Sequence, residues 1–261
     1  MSRRRFTYVN FAEELSVPQV FAAATTTTAQ LDEGTAATGD PTFKIGREHF
    51  EFHRVGNATN IRFVPVANVG WTIPVDGTDA EGLELGQGCV AGLSQNAFVS
   101  QTDPAFFIQV ILKLTTLANI DALWVGFRKQ GAYGAASAEA ADITVYDDYC
   151  AVGIGDSLGA FARAADAANA GTANVLATHA AHTTGEFMCL RVQVSAAGVT
   201  ECKIGTGTTA ALAEAALAVD TLLVATAFTM GAVTVVPCII VGATAAGAPN
   251  VQLCKYTCGL V

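Results

Sequence analysis

The chain has 261 residues, 51% of them hydrophobic and 14% charged, with a formal net charge of −9 at pH 7. The length suits one large domain or two small ones, and the acidic balance disfavours nonspecific binding to nucleic acid or to anionic membrane, which carry the same sign. Charged residues fall well below the roughly 25% of an average soluble domain, which points to surface that an assembly covers.

Residues 1–45 differ from the rest. Arg3, Arg4 and Arg5 form the one basic cluster, and FAAATTTTAQLDEGTAATGDPT (21–42) is rich in Ala, Thr and Gly without an apolar period. This segment reads as an extended arm. Phe6, Tyr8, Val9, Phe11, Val17, Val20 and Phe21 argue that the arm covers a surface, since such side chains rarely stay in water. Arg3, Arg4, Arg5, Phe6, Tyr8, Phe11 and Phe21 are the candidate partner-binding residues. The expectation is that no secretory leader is present, because FTYVNFAEELSVPQV holds no continuous apolar stretch.

A β pattern begins at Phe43. KIGREHFEFHRV and NATNIRFVPVA are strand candidates split by Gly56-Asn57, followed by GWTIPVDGTD and GLELGQGCVAGL. AFFIQVILKLTTL (105–117) and DALWVGFRKQ (121–130) form a strong pair. DITVYDDYCAVGIGD (142–156) predicts one or two strands, and ANVLATHA another. EFMCLRVQVSAAGVTECKIGTGT (186–208) predicts a hairpin. LAEAALAVDTLL predicts the only helix, about three turns at most. VTVVPCIIVGAT (233–244) and NVQLCKYTCGL (250–260) close the chain as two more strands. The count is roughly 11 to 13 strands at sandwich spacing.

The chemistry-bearing residues are sparse. His49 and His53 share a strand face, and His179 and His182 are three apart, but no Cys or Asp stands beside them, so no metal site is expected. Asp147 and Asp148 are neighbours on a predicted strand and point to opposite faces. Asp76, Asp79 and Glu81 form a loop cluster that an Asp-Gly turn explains, against calcium as the alternative. Glu48 and Glu51 are three apart and Glu84 stands alone, so the two-carboxylate pattern of a glycosidase is not met. No nucleophile motif or phosphate loop appears, GIGDSLG being a turn without a following phosphate-binding Lys. No cofactor and no enzyme activity are expected.

Seven cysteines lie mostly in strand-like runs, where Cys behaves as a small apolar residue. They are expected to be reduced and mostly buried, with Cys254 and Cys258 on one face of their strand.

The order of the pieces resembles the laminin-G/concanavalin-A-like jelly roll. The resemblance lies in AFFIQVILKL, WVGFRK, YDDYCAVGIGD, the hairpin CLRVQVSAAGVTECKIG and the closing pair PCIIVGAT and VQLCKYTCGLV. That last pair looks like the final strands of such domains in tailed-phage virion proteins. The resemblance covers about residues 45–261 and implies an all-β antiparallel sandwich (46–261) behind an N-terminal arm (1–45). It also implies a non-enzymatic capsid decoration (cement) protein, assembled in the host cytoplasm into the virion. Its partners would be the major capsid protein or other virion subunits, and it would be a homo-oligomer, a trimer suiting threefold positions. The alternative is a carbohydrate-binding module of the same fold, with Tyr133, Trp71 and Tyr149 as stacking aromatics.

Overall fold

The computed structural model describes residues 6–10, 31–32, 42–45, 48–55, 62–66, 69–73, 82–87, 97–131, 143, 146–154, 159–165, 174–181, 183–217, 228–244, 247 and 250–261. Among these residues, seventeen strands form two antiparallel sheets. Sheet 1 has eight strands: β1 (Phe6–Asn10), β2 (Leu31–Asp32), β5 (Arg62–Val66), β6 (Gly70–Ile73), β9 (Phe106–Leu114), β14 (Phe187–Val194), β15 (Thr200–Gly207) and β17 (Val251–Leu260). Sheet 2 has nine: β3 (Thr42–Ile45), β4 (Glu48–Val55), β7 (Gly82–Gly86), β8 (Phe98–Val99), β10 (Ile120–Lys129), β11 (Tyr149–Ile154), β12 (Gly159–Ala165), β13 (Asn174–Ala181) and β16 (Thr234–Ala243). The architecture is a concanavalin-like β-sandwich. The strands that run apolar over nine or ten residues, β9, β10, β16 and β17, occupy the interior of the two sheets.

The alternation of side chains explains why they sit there. On β9, Phe106, Ile108, Val110, Leu112 and Leu114 face the other sheet and join one core with Leu123, Val125 and Phe127 of β10. Met188, Leu190, Val192 and Val194 of β14 join from the next strand. Phe98, Phe106 and Phe127 meet as one stacked and two edge-on pairs with ring centroids 4.7–5.8 Å apart. Each such side chain, once buried, contributes about 1.5–3 kcal/mol. That core fixes the register, because a one-residue slip would turn the apolar set of a strand outward.

Three segments of the first 45 residues are strands of the sandwich. β1 lies against the C-terminal half of β17, Tyr8 opposite Thr257 and Phe6 opposite Gly259. β6 covers the other half of the same edge, Val251 opposite Ile73. β2 pairs with β5, and β3 with β4. KIGREHFEFHRV is thus two strands. β12 and β8 had no strand signal strong enough to read: β12 is Ala-rich and β8 is two residues long.

The helix α1 (Ala210–Ala216) begins two residues before the predicted start. Thr209 caps it, its hydroxyl accepting from the Leu212 N–H at 3.2 Å. The helix lies on the outer face of sheet 1. Gly205 permits that approach, since a Cβ there would lie 2.3 Å from the Ala213 carbonyl oxygen.

The face shared by Cys254 and Cys258 needs correction. Leu253 pairs with Leu112 and Lys255 with Ile111, so Cys254 is the extra residue of a β-bulge. Such a residue shifts the alternation by one position. Cys258 therefore faces the inter-sheet core, while Cys254 faces outward under α1 with Ile111, Cys189, Ala213 and Leu217.

Candidate functional site

Two polar constellations stand out among the described residues, one on the outer face of each sheet. On sheet 2, Glu84 of β7 and Arg128 of β10 point outward on either side of β16. Arg128 Nε donates to Glu84 Oε1 at 2.5 Å. The Tyr146 hydroxyl donates to Glu84 Oε2. The Arg128 guanidinium lies over the Tyr146 ring at 4.4 Å, and its Nη1 donates to the carbonyls of Lys129 at 2.8 Å and Gly131 at 3.2 Å. Arg128, Glu84 and Tyr146 are 0%, 2% and 9% exposed. Burial, and then the Glu84 charge, push the Tyr146 phenol well above its ordinary range. This tyrosine stays protonated and donates.

The trio closes over a small outer core of Ala122, Trp124, Ile143, Tyr146, Tyr149, Ala151, Cys238 and Ile240. Just beyond it, the Lys129 ammonium meets the Asp148 carboxylate at 2.8 Å, and that contact raises the Lys129 pKa. Glu84, which the sequence leaves without a second carboxylate, is paired instead with an arginine 44 residues away across an intervening strand. Tyr146, Asp147 and Asp148 are a bend before β11 and not a strand. Asp147 is exposed and Asp148 is buried. The Arg signal was present in WVGFRK, but only the fold shows that this arginine faces an acid.

On sheet 1 the outer face carries an open polar chain. Lys255 donates to Glu214 of α1 at 2.8 Å, and Gln109 Nε2 donates to the same carboxylate at 2.8 Å. Arg191 donates to Gln109 Oε1 and to Gln193 Oε1, each at 3.0 Å, and lies 4.2 Å over the Phe107 ring. Partial burial lowers the Arg191 pKa. Lys113 stands over Phe187 at 5.3 Å. This arrangement holds a planar guanidinium flat between amides and a ring, chemistry suited to contact.

Of the predicted partner-binding residues, Phe6 and Tyr8 lie on β1, at register positions opposite Gly259 and Thr257. Arg3, Arg4, Arg5, Phe11 and Phe21 lie outside the described residues, as do Tyr133, His182, Asp76, Asp79, Glu81 and Cys89. His49 and His53 lie on β4, and His179 on β13. No group of three metal-ligating side chains occurs among the described residues. Trp71 and Tyr149, read as possible sugar platforms, are each 2% exposed and belong to the packed interior. The six described cysteines are free thiols and buried.

No family model and no curated protein matches the chain. Among solved structures it is similar to the metal-free VIP36 exoplasmic/lumenal domain at 8% identity and TM-score 0.46, over 81% of this chain and 84% of that one. The potassium-bound Emp46p carbohydrate recognition domain is similar at 8% identity and TM-score 0.48, over 80% and 89%. A protein of unknown function from Shewanella oneidensis MR-1, SO2946, is similar at 12% identity and TM-score 0.47, over 99% of this chain and 88% of that one.

Proposed function

We propose that this chain is a non-enzymatic structural protein of a viral particle, a capsid decoration (cement) protein that works by surface contact. One observation carries the reading: only 14% of residues are charged, and the buried Glu84 carboxylate is engaged by Arg128 and Tyr146. A buried acid whose two oxygens each accept a hydrogen bond, from an arginine and a tyrosine, is held in place and shielded from solvent. A charge-poor exterior loses little desolvation energy when it is covered, and apolar area contributes about 25 cal/mol per Å2 on burial. Symmetry on a particle repeats each contact, so avidity multiplies modest affinities. The partners on this reading are shell subunits and further copies of the chain, a trimer matching a threefold position. The first 45 residues are tied to both sheets by β1, β2 and β3, and the sequence between those ties would meet neighbouring subunits.

Carbohydrate binding is the second reading, and it is the role printed for the Emp46p domain. The observation that favours it here is the Gln109–Arg191–Gln193 array over Phe107, side chains able to bond hydroxyls beside a ring. Mass spectrometry of particles purified from the source, together with a glycan array, separates the two. The chain in stoichiometric amounts within particles, without saturable glycan binding, supports the structural role. Absence from particles with specific binding of one glycan supports the second reading.

A further inference from the structure

We propose that Cys150 and Cys202 form a latent inter-sheet disulfide site, closed by exchange with a low-molecular-weight disulfide. Cys150 lies on β11 of sheet 2 and Cys202 on β15 of sheet 1, and both are wholly buried in the same core cluster. Cα atoms of these two strands come within 8 Å of each other, closer than the roughly 10 Å usual between facing sheets. The Cys202 sulfur reaches across to the backbone next to Cys150, 4.0 Å from the Ala151 carbonyl oxygen. Burial, and then the nearness of Cys202, disfavour the Cys150 thiolate. A disulfide needs Cα atoms about 4.4–6.8 Å apart, so closing it draws the two strands together from their approach within 8 Å, β15 being the edge strand of sheet 1.

The other described thiols are placed differently. Cys189 and Cys254 share the cluster under α1, but β9 runs between their strands. Two strand spacings amount to about 9.6 Å, beyond disulfide reach. Cys258 faces the core from β17, with β9 and β14 between it and β15. Cys238 faces the outer cluster of sheet 2.

In the reaction, one protein thiolate attacks the small disulfide, giving a mixed disulfide and one released thiol. The second thiolate then attacks the protein sulfur of that mixed disulfide and releases the other thiol. The protein loses two protons and two electrons, and the small disulfide takes them up as two thiols. Both thiols are shielded in the folded state, so exchange proceeds during folding or through transient opening. A chain folded reduced would thus acquire the link once its surroundings turn oxidising.

The test starts from reduced chain, unfolded and then refolded by dilution into oxidised and reduced glutathione. A second sample, kept folded, is held with oxidised glutathione just below its melting temperature. Free thiols are alkylated, and both samples are digested without reductant for mass spectrometry. The proposal predicts one dominant Cys150–Cys202 peptide by both routes, with a melting temperature above that of the reduced chain. Cys202→Ser should remove the link and the gain, and Cys189→Ser should leave both. No link in either sample, links spread over several pairs, or a Cys189–Cys254 link would overturn it.

Discussion

The outer faces of the two sheets solve one problem in opposite ways. Both carry an acid–base pair beside a small apolar cluster. On sheet 2 the pair is sealed, Glu84 and Arg128 being 2% and 0% exposed. On sheet 1 the pair Glu214–Lys255 stays wet, at 38% and 21%. A sealed pair loses its hydration and depends wholly on its geometry, whereas an open pair is screened and adds little. Sheet 2 therefore has a polar group whose loss the fold cannot absorb. Sheet 1 has one that can be exchanged with small effect, and its face is available for contact.

The sharpest way to break this comparison is Arg128→Met, which leaves the Glu84 carboxylate buried without its cation. The expected loss is about 3–5 kcal/mol in urea unfolding. Adding Glu84→Leu to the same chain should recover most of it, and Tyr146→Phe alone should cost about 1–3 kcal/mol. If Arg128→Met unfolds like the parent chain, the sealed pair is not a structural tie.

Alkaline pH tests the outer face of sheet 1 and the core together. Burial pushes the Cys189, Cys202 and Cys254 thiols up to about 12. Unfolded thiols ionise near pH 9, and the folded ones stay protonated. The unfolded state thus binds fewer protons above that point, and stability falls as pH rises from about 9 toward 12. Iodoacetamide labelling of the folded chain at pH 9 should be slow at all three positions. Fast labelling of Cys189 or Cys254 alone would show that α1 opens while the core stays shut.

The smallest effect belongs to the open pair. Glu214→Gln should change stability by less than about 1 kcal/mol, and chemical denaturation at low and at high salt should show little difference between variant and parent. A loss comparable to that of Arg128→Met would erase the contrast between the faces.

The sequence made the long strands legible, because β9, β10, β14, β16 and β17 combine apolar runs with clear turn residues. The fold class followed from them. The site did not, for reasons that lie in the contacts. The partners of Glu84 are 44 and 62 residues away, and no local spacing encodes such a contact. The bulge at Cys254 defeats parity counting, because one extra residue reverses the faces on either side. The arm read as extended, yet β1 has only five residues, and its pairing with β17 depends on an edge that exists only after the sheet is built. Trp71 and Tyr149 are candidate platforms only under the alternative, carbohydrate-binding reading, and packing claims them both.

The measurement that bears most directly on the functional account is the protein content of purified particles from the source of this chain. The account predicts the chain in the particle fraction at a fixed ratio to the shell subunit, retained through a density gradient. Its absence from such particles, with saturable glycan binding by the isolated chain, would contradict it.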